Sequence, residues 1–200
     1  HFLDEENQRI FDKYKNKLEN AEVTEKIETE MDIQRILKRS FKDFDGGYAM
    51  VGLLGHGASF VVRDPNGIRP AFKYIDDEVV VVASEKQAIK AAFNVKYNEI
   101  SEIERGHALI IERDGAFSEV PVIKQKELTA CSFERIYFSR GNDPEIYQER
   151  KMLGKLLVPQ ILKAINFDLK NTVFSYIPNS AEVSFLGMMQ GLDEYLTKKQ

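Results

Sequence analysis

The sequence holds one cysteine, Cys131, in 200 residues. A single thiol makes no internal disulfide, which suits a reducing compartment and sets the expectation of a cytoplasmic protein. Long apolar runs are missing too, so no membrane span is expected. The net charge is −4 with both signs well mixed, and no basic stripe of the kind nucleic-acid binding requires is present. The opening residues His1-Phe2-Leu3-Asp4-Glu5-Glu6 turn acidic at once, unlike a secretory leader. Internal repeats and low-complexity tracts are absent. What remains is a chain with 43% hydrophobic residues, enough for a packed core, and a length that suits one large domain or parts of two. The pattern starts in mid-course and Lys198-Lys199-Gln200 directly follow a helical stretch, so a piece of a longer protein is expected.

The most informative segment is Arg63-Asp64-Pro65-Asn66-Gly67-Ile68-Arg69-Pro70. Asp64, Pro65, Asn66 and Gly67 fill the four positions of a type I turn with residues each position favours. Apolar β-formers precede it (Phe60, Val61, Val62) and follow it (Ala71, Phe72, Tyr74, Ile75). A charged hairpin turn accounts for Asp-Pro-Asn-Gly but leaves Arg63 and Arg69 unexplained.

Around this turn the spacing predicts a mixed α+β chain. Ile10, Phe11, Tyr14 and Leu18 suit a short helix with Asp4 as a possible N-cap. Lys15 to Glu30 is mostly charged and reads as an exposed insertion or helical extension. Ile27, Met31, Ile36, Leu37, Phe41 and Phe44 recur at helical spacing from Thr24 to a stop at Gly46-Gly47. Three hairpins follow: Tyr48–Leu54 with Ser59–Arg63, Ala71–Ile75 with Glu78–Ala83, and Gly106 to Val120 across Asp114-Gly115. Val79 to Val82 lack polar alternation, so at least one strand should be buried on both faces. Ser84 and Gln87 read as a capping box for a helix through Phe93. Beyond Arg140 the pattern changes. Met152 to Ile165 is an amphipathic helix that Pro159 should kink or split. Thr172–Ile177 reads as a buried strand, Pro178-Asn179-Ser180 as a tight turn, and Ala181–Leu196 as a helix in which Gly187 and Gly191 allow close packing. Helix, strand, loop, helix opens a doubly wound α/β domain.

Several separated motifs fall in one order: Gly47-Tyr48-Ala49-Met50-Val51-Gly52, Gly55-His56-Gly57, Arg63 to Pro70, and Val82-Ala83-Ser84-Glu85. Together they resemble the second half of an N-terminal-nucleophile (class II) glutaminase domain. Cys131-Ser132-Phe133-Glu134-Arg135-Ile136-Tyr137-Phe138-Ser139-Arg140 resembles the segment that leaves that domain in the glutamine phosphoribosylpyrophosphate amidotransferase (amidophosphoribosyltransferase) family. The resemblance is dense from about Phe44 to Arg140, thinner beyond, and rests on order alone in the first forty residues. It implies residues 1–145 as the rear of an αββα glutaminase sandwich and 146–200 as the start of a phosphoribosyltransferase domain. The implied reaction turns glutamine, phosphoribosyl pyrophosphate and water into phosphoribosylamine, glutamate and pyrophosphate, early in purine (IMP) biosynthesis. Purine nucleotide inhibitors, magnesium bound with phosphoribosyl pyrophosphate, and a homo-oligomer come with it.

Residue by residue, the resemblance leaves the glutaminase machinery out of this segment, because that chemistry uses an N-terminal cysteine with its own α-amino group as base. The chain starts with His1, and no catalytic residue is assigned. Arg63, Asp64, Gly67 and Arg69 form a structural motif, better suited to holding the sandwich and its neighbouring domain than to chemistry. Ser180 is the candidate for phosphate and magnesium binding, since family members carry Pro, an acid and a hydroxyl there, in the magnesium–pyrophosphate region. Here Asn179 replaces the acid. A plain helix N-cap is the other reading of Ser180. Cys131 matches one ligand of the iron–sulfur cluster some members carry, but cluster-free members have it too, and one thiolate does not hold a cluster. A buried structural thiol is preferred. His56 and His107 stand alone beside glycines and read as loop and strand-start residues. Two other readings stay open: the glutaminase domain of an asparagine-synthetase-like enzyme, and a degenerate, non-catalytic regulatory relative.

Overall fold

The structure is a computed structural model and describes residues 1–198. It divides into two compact units, His1–Ala130 and the remainder from Cys131. The sequence pattern places the change at 145. The fifteen residues from Cys131 to Glu145 fall with the second unit: Pro144 and Glu145 begin its long helix, and Arg150 ties the backbone before them to that helix.

The first unit opens with three helices: α1 (Phe2–Tyr14), α2 (Asn20–Glu30) and α3 (Ile33–Ser40). The continuous helix expected from Thr24 to Phe44 is broken at Met31-Asp32. Asp32 takes an N-cap role there, its carboxylate accepting the Arg35 N–H at 2.8 Å. Asp4 does not cap α1, which begins two residues earlier; it is one of the acids in the first turn. Glu6 is buried and accepts hydrogen bonds from Arg9 and Arg35, joining α1 to α3. Those guanidinium groups, Arg9 foremost, hold its carboxyl below the usual range.

Seven strands follow in two sheets. The first sheet contains β1 (Ala49–Leu53), β2 (Ser59–Arg63), β6 (His107–Ile111) and β7 (Phe117–Pro121), antiparallel throughout in the order β1-β2-β6-β7. The second has β3 (Phe72–Ile75), β4 (Val80–Ala83) and β5 (Ser101–Glu102) in the order β4-β3-β5. All three expected hairpins form, each at the turn its glycine or aspartate residues mark.

Period-two alternation on β2 and β6 explains how the layers stack. Phe60, Val62, Ala108 and Ile110 point to one side and pack with Ile33 and Leu37 of α3 and with Phe41 at its C-cap. Val61 and Leu109 point to the other and pack with Val80 and Val82 of the second sheet and with Ala71 and Ile103, which flank its strands. Helix α4 (Lys86–Phe93), with Ile89 buried, packs on β3 and β4. The unit is therefore layered helix, sheet, sheet, helix. The strands buried on both faces are β2 and β6; Val80 to Val82 are only half-buried because β4 lies at a sheet edge. α4 starts one residue later than the capping pattern implies, with Glu85 at its N-cap and no side-chain cap bond.

The second unit consists of a five-residue π-helical turn (Glu134–Phe138) and two helices, α5 (Pro144–Ala164) and α6 (Glu182–Thr197). Asp143 caps α5 by accepting from the Glu145 and Ile146 N–H groups. Pro159 lies inside α5 without splitting it. The helices cross at glycines. A methyl group on Gly154 would sit 1.7 Å from the Ser184 carbonyl oxygen, and one on Gly187 would sit 1.8 Å from that of Lys151. Val158, Leu162 and Leu192 make the small core beside this crossing. The buried strand expected at Thr172–Ile177 does not form: Val173 is 94% and Ile177 83% exposed. A strand needs a neighbour to pair with, and the described residues of this unit contain no other.

Candidate functional site

The Arg63–Pro70 segment is a turn built around a buried carboxylate. Asp64 has no exposed surface. Its Oδ1 accepts the N–H groups of Asn66 and Ile68, and its Oδ2 that of Arg69, each at 3.0 Å. The Gly67 N–H closes the turn on the Asp64 carbonyl at 3.2 Å, with Gly67 at φ +64, where a β-branched residue is strained. Arg63 is 4% exposed. Its Nε donates to the Arg69 carbonyl, and its Nη1 to the Ile103 carbonyl at 2.7 Å and to Glu102 at 2.6 Å. The far side of the turn holds the segment after β7, because Lys126 N–H donates to the Pro65 carbonyl and Asn66 Nδ2 to that of Glu127. Both charged side chains at the heart of the motif thus face backbone of their own unit. The Tyr48 hydroxyl lies buried nearby without a hydrogen-bond partner among the described residues, its pKa pushed up to about 12 by burial and, second, by the Asp64 charge.

Ser180 lies in the second unit, on the turn before α6. That helix opens on Ala181 with no side-chain cap, so the hydroxyl is not the N-cap. Ser180 and Asn179 line a cleft of about 470 Å³, shared with Asn142, Arg150 and Glu182. Arg150 is the buried charge of this cleft, 6% exposed. Its Nε and Nη2 donate to the carbonyls of Arg135 and Ser139 at 2.9 and 2.7 Å. It has no carboxylate partner among the described residues, and burial alone lowers its pKa. Nη1 makes neither bond and lies 3.5 Å from where a Gly141 side chain would begin. Sequence reasoning passed over Arg150, because Glu149-Arg150-Lys151 looks like solvated helix surface and nothing local marks which of the three turns inward.

Cys131 is a free, half-buried thiol. No group of three or more His, Cys, Asp or Glu that could hold a metal is found among the described residues. His107 places its Nδ1 3.0 Å from the Arg105 carbonyl. The His56 Nε2 is buried without a partner beside a cleft of about 410 Å³. Among the described residues no helix is long and apolar enough to cross a membrane.

The fold is similar to that of solved amidotransferase structures. The chain superposes on the glutamine phosphoribosylpyrophosphate amidotransferase from B. subtilis complexed with ADP and GMP, with a TM-score of 0.61, 23% identity, and coverage of 94% of this chain and 41% of that one. No protein-family model matches. Sequence similarity is more specific. The chain is 29% identical over 167 residues to the amidophosphoribosyltransferase of Lachancea kluyveri, covering 78% of this chain and 32% of that protein. It is 30% identical over 165 residues to the one from Archaeoglobus fulgidus, covering 80% and 34%. The chain is therefore a partial homologue of the amidophosphoribosyltransferases and spans about a third of the length of these curated relatives.

Proposed function

We propose that residues 1–145 are the rear of a class II glutaminase domain and residues 146–200 the start of a phosphoribosyltransferase domain, serving an amidophosphoribosyltransferase. In that enzyme the first domain hydrolyses the glutamine amide, and the ammonia attacks C1 of phosphoribosyl pyrophosphate as pyrophosphate leaves. Magnesium bound with that substrate neutralises charge on the leaving group. The observation that carries the reading is the helix–sheet–sheet–helix layering closed by the Asp64 turn, in a chain whose curated relatives bear this name over four-fifths of its length. The solved relative's ADP and GMP support purine nucleotides as regulators, and closed symmetric assembly is the default for such an enzyme.

Within this scheme Arg63, Asp64, Gly67 and Arg69 hold the sandwich rather than act on substrate, and Ser180 belongs to the phosphate-binding part. Cys131 is a structural thiol. It lacks an α-amino group of its own to act as base, so the 200-residue chain by itself releases no ammonia from glutamine. The deciding assay uses the complete gene product, supplied with glutamine, phosphoribosyl pyrophosphate and magnesium. Glutamate and pyrophosphate should form in equal amounts, each dependent on both substrates. A product that binds these compounds without turnover overturns the reading in favour of a regulatory relative.

A further inference from the structure

The family implies magnesium near Ser180, yet the side chains of this cleft do not suit a divalent cation. Magnesium takes oxygen ligands with one or two carboxylates beside substrate phosphates. At position 179, where relatives carry an acid, this chain has an amide. Asn142 adds a second neutral amide. Glu182 is the lone carboxylate of the cleft and is exposed on the first turn of α6, where it offsets the helix dipole. The buried charge is the wrong sign for a cation: Arg150, without a carboxylate to compensate it.

The same features suit an anion. An uncompensated buried guanidinium costs free energy unless a negative group joins it. Its Nη1 has no hydrogen-bond acceptor among the described residues, which leaves a donor for an incoming oxygen. The Asn142 and Asn179 amides and the Ser180 hydroxyl add neutral donors, and α6 brings an uncapped helix N-terminus. The geometry points to a cleft that takes a phosphoryl group directly, on Arg150, Ser180 and the first turn of α6, with no divalent cation bridging. This rests on reading the cleft as a phosphate site and changes what that site requires: any magnesium travels with the substrate and is held elsewhere.

Calorimetric titration of the 200-residue chain with inorganic pyrophosphate, once in EDTA and once in magnesium, tests it. Inorganic phosphate serves as the second ligand, separating a one-phosphoryl site from one that needs both. Binding in EDTA should lie within about twofold of binding in magnesium. Ser180→Ala, an exposed change that leaves the fold alone, should weaken it at least fivefold, and Arg150→Gln at least tenfold. Asn179→Asp restores the acid and should reverse the requirement, with binding in EDTA down at least tenfold and recovered by magnesium. If the unaltered chain binds pyrophosphate only with magnesium, the metal-free inference fails while the phosphate reading stands. No binding in either medium overturns both. Binding indifferent to Ser180→Ala and Asn179→Asp places the anion elsewhere and also overturns the inference.

Discussion

The two units differ in how much of their own apolar surface they cover. In the first, β2 and β6 are enclosed on both faces, with Val62 and Leu109 wholly buried. In the second, Leu156 is 65%, Ile177 83% and Val173 94% exposed, and two helices share a core of a few side chains. At roughly 25 cal/mol per Å² of apolar surface, each such side chain left in water forgoes about 1 kcal/mol or more. One edge of the first unit shares this character, for among the described residues β1 has no partner on its outer side, and Val51 and Leu53 are 75% and 78% exposed. The lesson concerns what holds each unit. The first relies on burial plus a satisfied internal carboxylate, the second on a close helix crossing.

The largest expected effect lies at that carboxylate. Asp64→Ala leaves three partly buried N–H groups without acceptors and should cost about 3 kcal/mol or more. Urea unfolding followed by probes in each unit checks this, with the loss confined to the first transition; a change under about 1 kcal/mol would show the turn to be peripheral. Next comes the helix crossing. Gly154→Val drives a side chain into the Ser184 carbonyl and should cost roughly 2–3 kcal/mol, since a backbone atom cannot move aside as a flexible side chain can. Loss of helical circular dichroism from the second unit alone is the expected signature, and an unchanged spectrum and midpoint would show that the helices do not meet there. The smallest is Gly67→Val, expected at about 1 kcal/mol from its positive φ. A melting temperature equal to that of the unaltered chain would mean the turn tolerates a β-branched residue.

Much of the first unit was legible in the sequence because its turns advertise themselves. Gly55-His56-Gly57, Asp76-Asp77 and Asp114-Gly115 each mark a hairpin that the structure forms. The helix break at Asp32 was hidden by hydrophobic spacing that runs through it, although Asp before an apolar run is a capping signal. The strand buried on both faces was assigned to Val79–Val82 on composition, yet sheet order decides burial, and β4 lies at an edge. Thr172–Ile177 failed for a related reason, because β-propensity describes a residue's fit to a sheet and supplies no partner strand. Of the candidate site, Ser180 and Asn179 could be picked out by position in a pattern, whereas Arg150 could not. Its inward turn depends on the backbone carbonyls of Arg135 and Ser139, fifteen and eleven residues upstream.

Hydrogen exchange on the dilute monomeric chain tests the contrast between the units most directly. Phe60 to Val62 lie in β2, a strand paired on both sides, whereas the segment Val173 to Tyr176 lies outside any strand or helix. The amides of Phe60 to Val62 should therefore show strong protection, and those of Val173 to Tyr176 should exchange within a small factor of the unfolded rate. Equal protection of the two segments would show that the second unit completes its own fold, contradicting the account.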